Sequence, residues 1–197
     1  LEKDWMKHVI LGFNFRMTEI QAAIGRVQLK KLRRLVEERV ENCKYLSKKL
    51  SALPGIKAAA VREDATHSYY VQPFHFYSDT VGIERDIFIK AVRAELPLTE
   101  LREGEGVNIS CGYVKPIYLL PIFQKRTAFG KTGWPFTMAG SGSDYSEGLC
   151  PVAERMYEKE FFSHELMRPP MTESDLDDVV KAFNKVYENR KELLAIA

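Results

Sequence analysis

The chain has 197 residues, of which 45% are hydrophobic and 28% are charged. This length and composition are typical of a folded globular protein with one hydrophobic core, and they exclude a disordered chain. The formal net charge is +2, so the total charge favours neither nucleic acid nor an anionic membrane as a partner.

The cysteines and the apolar runs indicate the compartment. Cys43, Cys111 and Cys150 are an odd number at wide spacings with no metal-ligand pattern, and the four histidines are equally scattered. We therefore predict a reducing environment and no bound metal. No apolar run reaches the ~20 residues that a membrane helix requires, and the first residues lack a signal-peptide pattern. These features predict a cytoplasmic protein.

Residues 12–29, GFNFRMTEIQAAIGRVQL, place two polar residues between aromatic residues, directly before a helix start. Thr18 and Gln21 have the spacing of a capping box, which predicts a rigid loop in front of the helix. The amide of Asn14 and the guanidinium of Arg16 project from this loop, and both suit recognition of phosphate or carboxylate. The alternative is that these two side chains only bond to loop carbonyls.

Apolar residues then recur at three- and four-residue steps from Glu19 to Leu53, and Pro54 and Gly55 end the pattern. At ~1.5 Å per residue such a helix is about 50 Å long, more than the core of a small domain requires. We therefore predict that it bridges two regions. Its charged residues predict a solvated face with ion pairs one turn apart, the alternative being a basic surface for an anionic partner.

The remaining chain alternates between strand and helix patterns. These predict strands at 56–61, 68–77 and 107–111, a helix from Ile87 to Pro97, a helix from Pro151 to about Phe162, and a final helix from its cap Thr172 to Leu193. Pro73 argues against a central position for the second strand, unless it lies at a bulge or an edge. This order of elements predicts an α/β fold of α+β type with a small, mainly antiparallel sheet.

Two segments between these elements require an interpretation. The aromatic stretch from Tyr69 to Tyr77, with its nearby histidines, is interpreted as core packing, because it lacks the interleaved basic residues of a platform for single-stranded nucleic acid. Residues 124–148 are polar and rich in glycine. A loop of this length is usually functional or mobile.

Four segments resemble the DegT/StrS-type sugar aminotransferases, which are pyridoxal-phosphate enzymes of fold type I. Residues 12–29 are similar to the family's Gly-x-Asn-Tyr-Arg-Met-x-x-x-Gln-Ala-Ala-x-Gly segment, and residues 112–123 to its His-Tyr-x-x-Pro-Leu-His-x-x-Pro-x-Phe segment. Residues 150–155 resemble its Cys-Pro-x-Ala-Glu-Arg, and residues 168–175 resemble its closing segment. The order and spacing of the four agree.

The resemblance implies the C-terminal part of the aspartate aminotransferase-like fold. Residues 1–17 would end the large cofactor domain with a phosphate-contacting loop. Residues 18–54 would form the long bridging helix, and residues 55–197 would form the small C-terminal α/β domain.

The resemblance also implies the site. Asn14 and Arg16 are the cofactor-binding candidates, because the family's asparagine reaches across the dimer interface to the cofactor phosphate of the neighbouring subunit. Tyr113, Lys115 and Tyr118 are the substrate-binding candidates, on the loop that lines the family's sugar-nucleotide site. Many relatives carry histidines where this chain has the two tyrosines, and a phenol with a reference pKa of about 10 does not serve as an acid or base near neutral pH. The alternative is that both tyrosines pack on the domain surface.

A catalytic lysine is not found in the expected place. The family's Schiff-base lysine lies upstream of the Asn-Tyr-Arg-Met segment, in a Ser-x-x-x-Lys motif that a Gly-Glu-Gly-Gly loop follows, and residues 1–11 do not contain it. The tripeptide Gly-Glu-Gly at 104–106 lies on the wrong side and is interpreted as a surface turn. Lys115, beside a proline, is interpreted as a solvated cation and not as that lysine. We expect a fragment that has no catalytic residue of its own and does not bind pyridoxal phosphate alone.

The resemblance thus implies a function for the complete enzyme. It would aminate a keto-sugar, linked to a nucleotide, with an amino acid such as glutamate as donor. Surface-polysaccharide biosynthesis, lipopolysaccharide included, or amino-sugar biosynthesis would use the product, and the enzyme would be a homodimer with shared active sites. The alternative is a stand-alone, non-catalytic interaction domain that binds a partner through its long helix.

Overall fold

The computed structural model describes residues 16–97, 107–138 and 142–194. Within these ranges the chain forms α-helices and four strands, with one 3-10 turn and one π-helical turn. In chain order the elements are α1 (Glu19–Leu29), α2 (Leu32–Leu50), β1 (Ile56–Ala58), β2 (Gln72–Phe76), α3 (Ser78–Val81), α4 (Arg85–Glu95), β3 (Ile109–Cys111), the 3-10 turn (Ile117–Leu119), α5 (Pro121–Gln124), α6 (Pro151–Arg155), the π-helical turn (Met156–Glu160), β4 (Phe161–His164), α7 (Glu173–Glu188) and α8 (Arg190–Leu193).

The four strands form one antiparallel sheet in the order β1-β2-β4-β3. The predicted small antiparallel sheet is therefore confirmed. Side chains alternate along β2, so that Gln72, Phe74 and Phe76 are buried while the residues between them are half-buried. Helices α2, α4 and α7 supply the other side of the core. The largest fully buried side chains are Phe74, Phe76, Phe88, Phe162, Phe183, Leu46 and Leu50.

The prediction for Pro73 was wrong, because β2 lies inside the sheet between β1 and β4. In an antiparallel ladder the N–H and C=O of one residue point to the same neighbour. The carbonyl of Pro73 accepts from the amide of Ala59, at 3.3 Å, so its missing N–H faces the residue that follows the last residue of β1. The proline therefore costs a ladder bond only where the short edge strand already ends.

The predicted continuous helix from Glu19 to Leu53 was also wrong in detail. Two helices, α1 and α2, replace it and end at Leu50. At the junction the amide of Lys31 bonds to the carbonyl of Gln28, three residues back, at 2.9 Å, which is the tighter 3-10 pattern. None of the residues of α1 is buried, whereas α2 buries Cys43, Leu46 and Leu50.

The predicted helix from Pro151 to Phe162 was wrong at its C-terminal end. The α-helix stops at Arg155, a π-helical turn follows, and Phe161 begins the strand β4. The buried guanidinium of Arg85 explains the stop, because it donates to three carbonyls there: Tyr157 at 2.8 Å, Glu158 at 2.5 Å and Phe161 at 2.9 Å. A side chain 72 residues away thus binds carbonyls that a continuing helix would use itself.

The predicted cap of α7 is confirmed. Thr172 caps α7 through a capping box with Asp175. All three cysteines are free, and no group of potential metal ligands occurs in the described ranges. None of the helices there is long and apolar enough to cross a membrane. The turn expected at 104–106 lies outside the described residues.

Candidate functional site

The N-terminus of α1 carries the first candidate group. The amide of Thr18 donates to Gln21 Oε1 at 2.8 Å, and the amide of Gln21 donates to Thr18 Oγ1 at 3.3 Å. The predicted capping box is therefore confirmed. Arg16 is exposed two residues before the cap, so its backbone leads directly into a fixed helix start. Asn14 lies outside the described residues.

The surface of α1 is exposed along its whole length. Ile20, Ile24 and Val27, spaced by four and three residues, are at least half-exposed. This spacing puts the three side chains on one face of the helix. No described residue covers that face, since none of the helix residues is buried.

Tyr113 lies at the exposed edge of the domain and forms a pair with Tyr70. The two rings meet edge to face with their centroids 6.3 Å apart, a favoured geometry for aromatic side chains. Tyr113 is 39% exposed and Tyr70 66% exposed. The hydrogen bond with the Tyr70 hydroxyl, helped by partial burial, raises the pKa of Tyr113 to about 12. Tyr113 is therefore a neutral, half-exposed ring with a hydroxyl near neutral pH.

Sequence reasoning missed Tyr70, which the predicted strand at 68–77 included. The strand begins only at Gln72, and Tyr69 before it has a left-handed backbone with a φ of 49°. The amide of Tyr69 donates to Nδ1 of His67 at 2.8 Å, and their rings lie 4.2 Å apart. This local turn buries Tyr69 and leaves Tyr70 exposed. The interruption of a two-residue alternation by adjacent aromatic residues was the available signal.

Charged residues lie beside this aromatic pair. Arg168 forms an ion pair with Glu165 at 2.8 Å, and the side-chain amide of Asn108 donates to the same carboxylate at 3.3 Å. The negative charge of Glu165 also contributes to the raised pKa of Tyr113. Lys115, two residues beyond Tyr113, is half-buried, and every other lysine that the structure describes is exposed. The sheet edge therefore combines aromatic surface with both signs of charge.

Tyr118 differs from Tyr113, since it is 8% exposed. Its hydroxyl donates to Oε1 of Glu154 and accepts from the amide of Cys150 at 3.2 Å. Burial and the hydrogen bond to Glu154 raise the pKa of Tyr118 to about 12. The structure therefore does not bring the hydroxyls of Tyr113 and Tyr118 to one surface.

Glu154 is a second residue that sequence reasoning did not select. Its carboxylate is buried and accepts from the amide of Gly148 through both oxygens, at 2.8 and 2.9 Å. The hydrogen bond from Tyr118, together with that from Gly148, lowers the pKa of Glu154. The only sequence signal was its position in the Cys-Pro-x-Ala-Glu-Arg segment.

The fold of the described residues is that of a known class of protein. The structure resembles the X-ray structure of the aminotransferase from Psychrobacter cryohalolentis, with a TM-score of 0.62 and 25% sequence identity over 90% of this chain and 40% of that chain. The chain thus has part of the fold of the fold type I aminotransferases, as predicted. Residues 2–184 match the DegT/DnrJ/EryC1/StrS aminotransferase family, and the chain belongs to this family.

The chain is also similar to two longer curated proteins. The uncharacterized protein MJ1066 of Methanocaldococcus jannaschii is 28% identical over 191 residues, which are 96% of this chain and 42% of that protein. The spore coat polysaccharide biosynthesis protein SpsC of Bacillus subtilis is 23% identical over 177 residues, 90% of this chain and 38% of that protein. The chain therefore spans about two fifths of the length of the relatives that it matches.

Aminotransferases of this family generally depend on pyridoxal phosphate. One described residue, Arg16, has the chemistry that the phosphate of that cofactor requires. Arg16 provides a guanidinium in front of a capped helix start, and guanidinium groups bind phosphate through two parallel hydrogen bonds. His164, although buried, does not provide a positive charge, because burial lowers its pKa to about 3. Arg16 therefore stays the described candidate that the sequence suggested for the cofactor phosphate.

Proposed function

We propose that this chain provides the phosphate-contacting loop and the substrate-facing small domain of a sugar aminotransferase. The complete enzyme moves an amino group from an amino acid donor to a keto-sugar that a nucleotide carries. The observation that supports this proposal is the exposed Arg16 before a confirmed capping box, in a chain that belongs to the aminotransferase family. The organisation expected from the sequence, residues 1–17, 18–54 and 55–197, is part of the proposal.

Each candidate residue has a separate role in this proposal. Asn14 and Arg16 bind the cofactor phosphate of the neighbouring subunit, so the active sites of a homodimer are shared. Tyr113 offers a ring and a hydroxyl to the sugar nucleotide, and Lys115 offers a positive charge to its phosphates. Tyr118 belongs to the same substrate segment. When bound, pyridoxal phosphate holds the amino group between donor and acceptor, while the protein supplies orientation and electrostatics.

The product and its location follow from the same relationship. The name of SpsC, a spore coat polysaccharide biosynthesis protein, supports a role in the synthesis of amino sugars for a surface polysaccharide. A cytoplasmic location is part of the proposal, and the free cysteines are compatible with such a reducing compartment.

A phosphate-specific binding experiment tests the role of Arg16. In the complete protein, Arg16→Ala should weaken binding of pyridoxal phosphate about ten- to a hundredfold, because a charge-assisted hydrogen bond contributes ~1.5–3 kcal/mol. Binding of pyridoxal, which has no phosphate, should not change. Arg26→Ala is the matched control, since Arg26 is an exposed arginine on α1, the helix that follows Arg16. Equal affinities of the two variants for pyridoxal phosphate would show that Arg16 does not bind the phosphate, and the proposal would lose its support.

A second candidate function has one observation in its favour. The exposed apolar face of α1, formed by Ile20, Ile24 and Val27, suits a stand-alone interaction domain derived from the same fold. The two candidates differ in one assay. Amino transfer from glutamate to a nucleotide-linked keto-sugar supports the enzyme, whereas binding of a partner that Ile24→Asp abolishes, without any amino transfer, supports the interaction domain.

A further inference from the structure

The hydrogen bonds among Tyr118, Gly148, Cys150 and Glu154 connect two segments that are distant in the sequence. One is the substrate segment, residues 113–118, which carries Tyr113 and Lys115. The other is residues 148–150, at the end of the long polar loop. We propose that these four residues form a clasp in which Glu154 is a positioning residue of the substrate site, and in which Tyr118 acts through Glu154 without touching substrate. The clasp rests on the proposed function.

The proton of the Tyr118 hydroxyl is already used within the protein. A phenol has one proton to donate, and in Tyr118 that proton goes to Glu154. The hydroxyl oxygen also accepts from the amide of Cys150. A substrate hydroxyl or phosphate that needs a donor therefore does not find one at Tyr118.

The carboxylate of Glu154 is buried and depends on donors from both segments. Its side chain belongs to a residue that is 9% exposed, and a buried carboxylate requires donors to compensate for lost water. Here the donors are the hydroxyl of Tyr118 and the amide of Gly148. If either segment moves away, the carboxylate loses a partner, so the charge resists separation of the two segments.

Gln124 provides a second connection, between Tyr118 and the polar loop that precedes Gly148. Nε2 of Gln124 donates to the carbonyl of Tyr118 at 2.8 Å and to the carbonyl of Tyr145 at 2.6 Å. The backbone of Tyr118 is thus bound from the exposed side by Gln124, while its hydroxyl is bound from the buried side by Glu154. Tyr118 is therefore held at both ends. In the proposed clasp, this anchor sets the position of Tyr113, five residues earlier in the chain.

The geometry predicts how two nearly isosteric variants behave. Tyr118→Phe removes the donor to Glu154 and the acceptor for Cys150, and Glu154→Gln removes the charge while it keeps the shape. Each should raise KM for the sugar substrate about tenfold, while kcat changes less than about threefold, because the substrate segment is misplaced but the reacting groups are retained. The double variant should be no worse than the worse single variant, since both break one clasp.

Amide hydrogen exchange provides a readout that does not depend on activity. In the complete protein without substrate, both variants should exchange the amides of Gly148 and Cys150 faster, while the amides of α7 should not change. Tyr45→Phe is the matched control, because the hydroxyl of Tyr45 also donates to a carboxylate, that of Asp177, on a remote contact between α2 and α7. This control should leave both KM and the two loop amides unchanged.

The outcomes separate the clasp from the proposed function. Faster exchange with a raised KM supports the proposal. Unchanged exchange in both variants overturns the clasp even in an active enzyme. Three other outcomes overturn the positioning role. They are faster exchange with unchanged kinetics, a loss confined to kcat in Tyr118→Phe, and a multiplicative effect on KM in the double variant. If the wild-type protein converts no keto-sugar while the exchange result holds, the proposed function fails and the positioning role fails with it, although the structural contact remains.

Discussion

Substitution of Gly112 tests how the chain enters the substrate segment. Gly112 follows β3 directly, has a φ of +65°, and donates its amide to the carbonyl of Phe161 at 2.7 Å. A left-handed backbone costs an alanine ~1–2 kcal/mol. In Gly112→Ala the new methyl group would also lie 2.8 Å from Cδ2 and 2.9 Å from the carbonyl oxygen of Tyr157. That carbonyl oxygen is held by Arg85 at 2.8 Å, so it has little freedom to move away.

The overlap adds a second cost. Forcing a methyl group into a filled site costs typically ~1–3 kcal/mol, so Gly112→Ala should lower the free energy of unfolding by about 2–5 kcal/mol in total. Gly82→Ala is the matched control, because Gly82 has a φ of +84° and nothing within 4 Å of its added Cβ. It should lose only the backbone component, ~1–2 kcal/mol.

Equilibrium urea denaturation of the two variants and the wild type measures both losses, provided that the slopes with denaturant agree. The informative quantity is the difference between the variants, which isolates the contact with Tyr157. If Gly112→Ala is no less stable than Gly82→Ala, the close approach of β3 to the π-helical turn is incorrect, and so is the described entry into the substrate segment.

Two further predictions concern buried charged or titratable groups. Arg85→Met should destabilise the protein by about 3 kcal/mol or more, because three carbonyls lose a charge-assisted donor. A loss of stability below ~1 kcal/mol in the same denaturation assay would contradict the role of Arg85 in ending the helix. Burial lowers the pKa of His164 to about 3, so the folded state binds fewer protons than the unfolded state, and stability is complete above about pH 6.5 and falls as the pH drops towards 3. Between pH 7 and pH 5 the wild type should therefore lose about 2 kcal/mol more than His164→Leu; parallel pH profiles of the two proteins would show that His164 is not buried.

Local chemistry explains which elements were predictable. The caps at Thr18 and Thr172 depend on residues three positions away, and both are confirmed. The end of α6 depends on Arg85, which lies far away in the sequence, and the tolerance of Pro73 depends on where β1 ends. Both predictions failed because a pattern within one segment does not contain the neighbour that decides it.

The candidate site follows the same division. Arg16 could be selected from the sequence because its loop and its cap are adjacent. Tyr70 could not, because its exposure depends on the left-handed backbone of Tyr69 and its pairing depends on Tyr113, on another segment. The roles of Asn14 and Arg16 in cofactor binding stay predictions.

Tyr113 and Tyr118 show why a shared sequence signal does not imply a shared role. The resemblance suggested the same substrate contact for each. Gly112 and the 3-10 turn at Ile117–Leu119 lie on either side of this segment, and the rings differ in environment: Tyr113 is paired with an exposed tyrosine, whereas Tyr118 is enclosed by a carboxylate and a backbone amide. Both phenols have a pKa of about 12, so neither transfers protons near neutral pH. In the proposed enzyme a general acid or base would therefore be a group other than these two tyrosines, whose proposed contribution is recognition and the position of the segment.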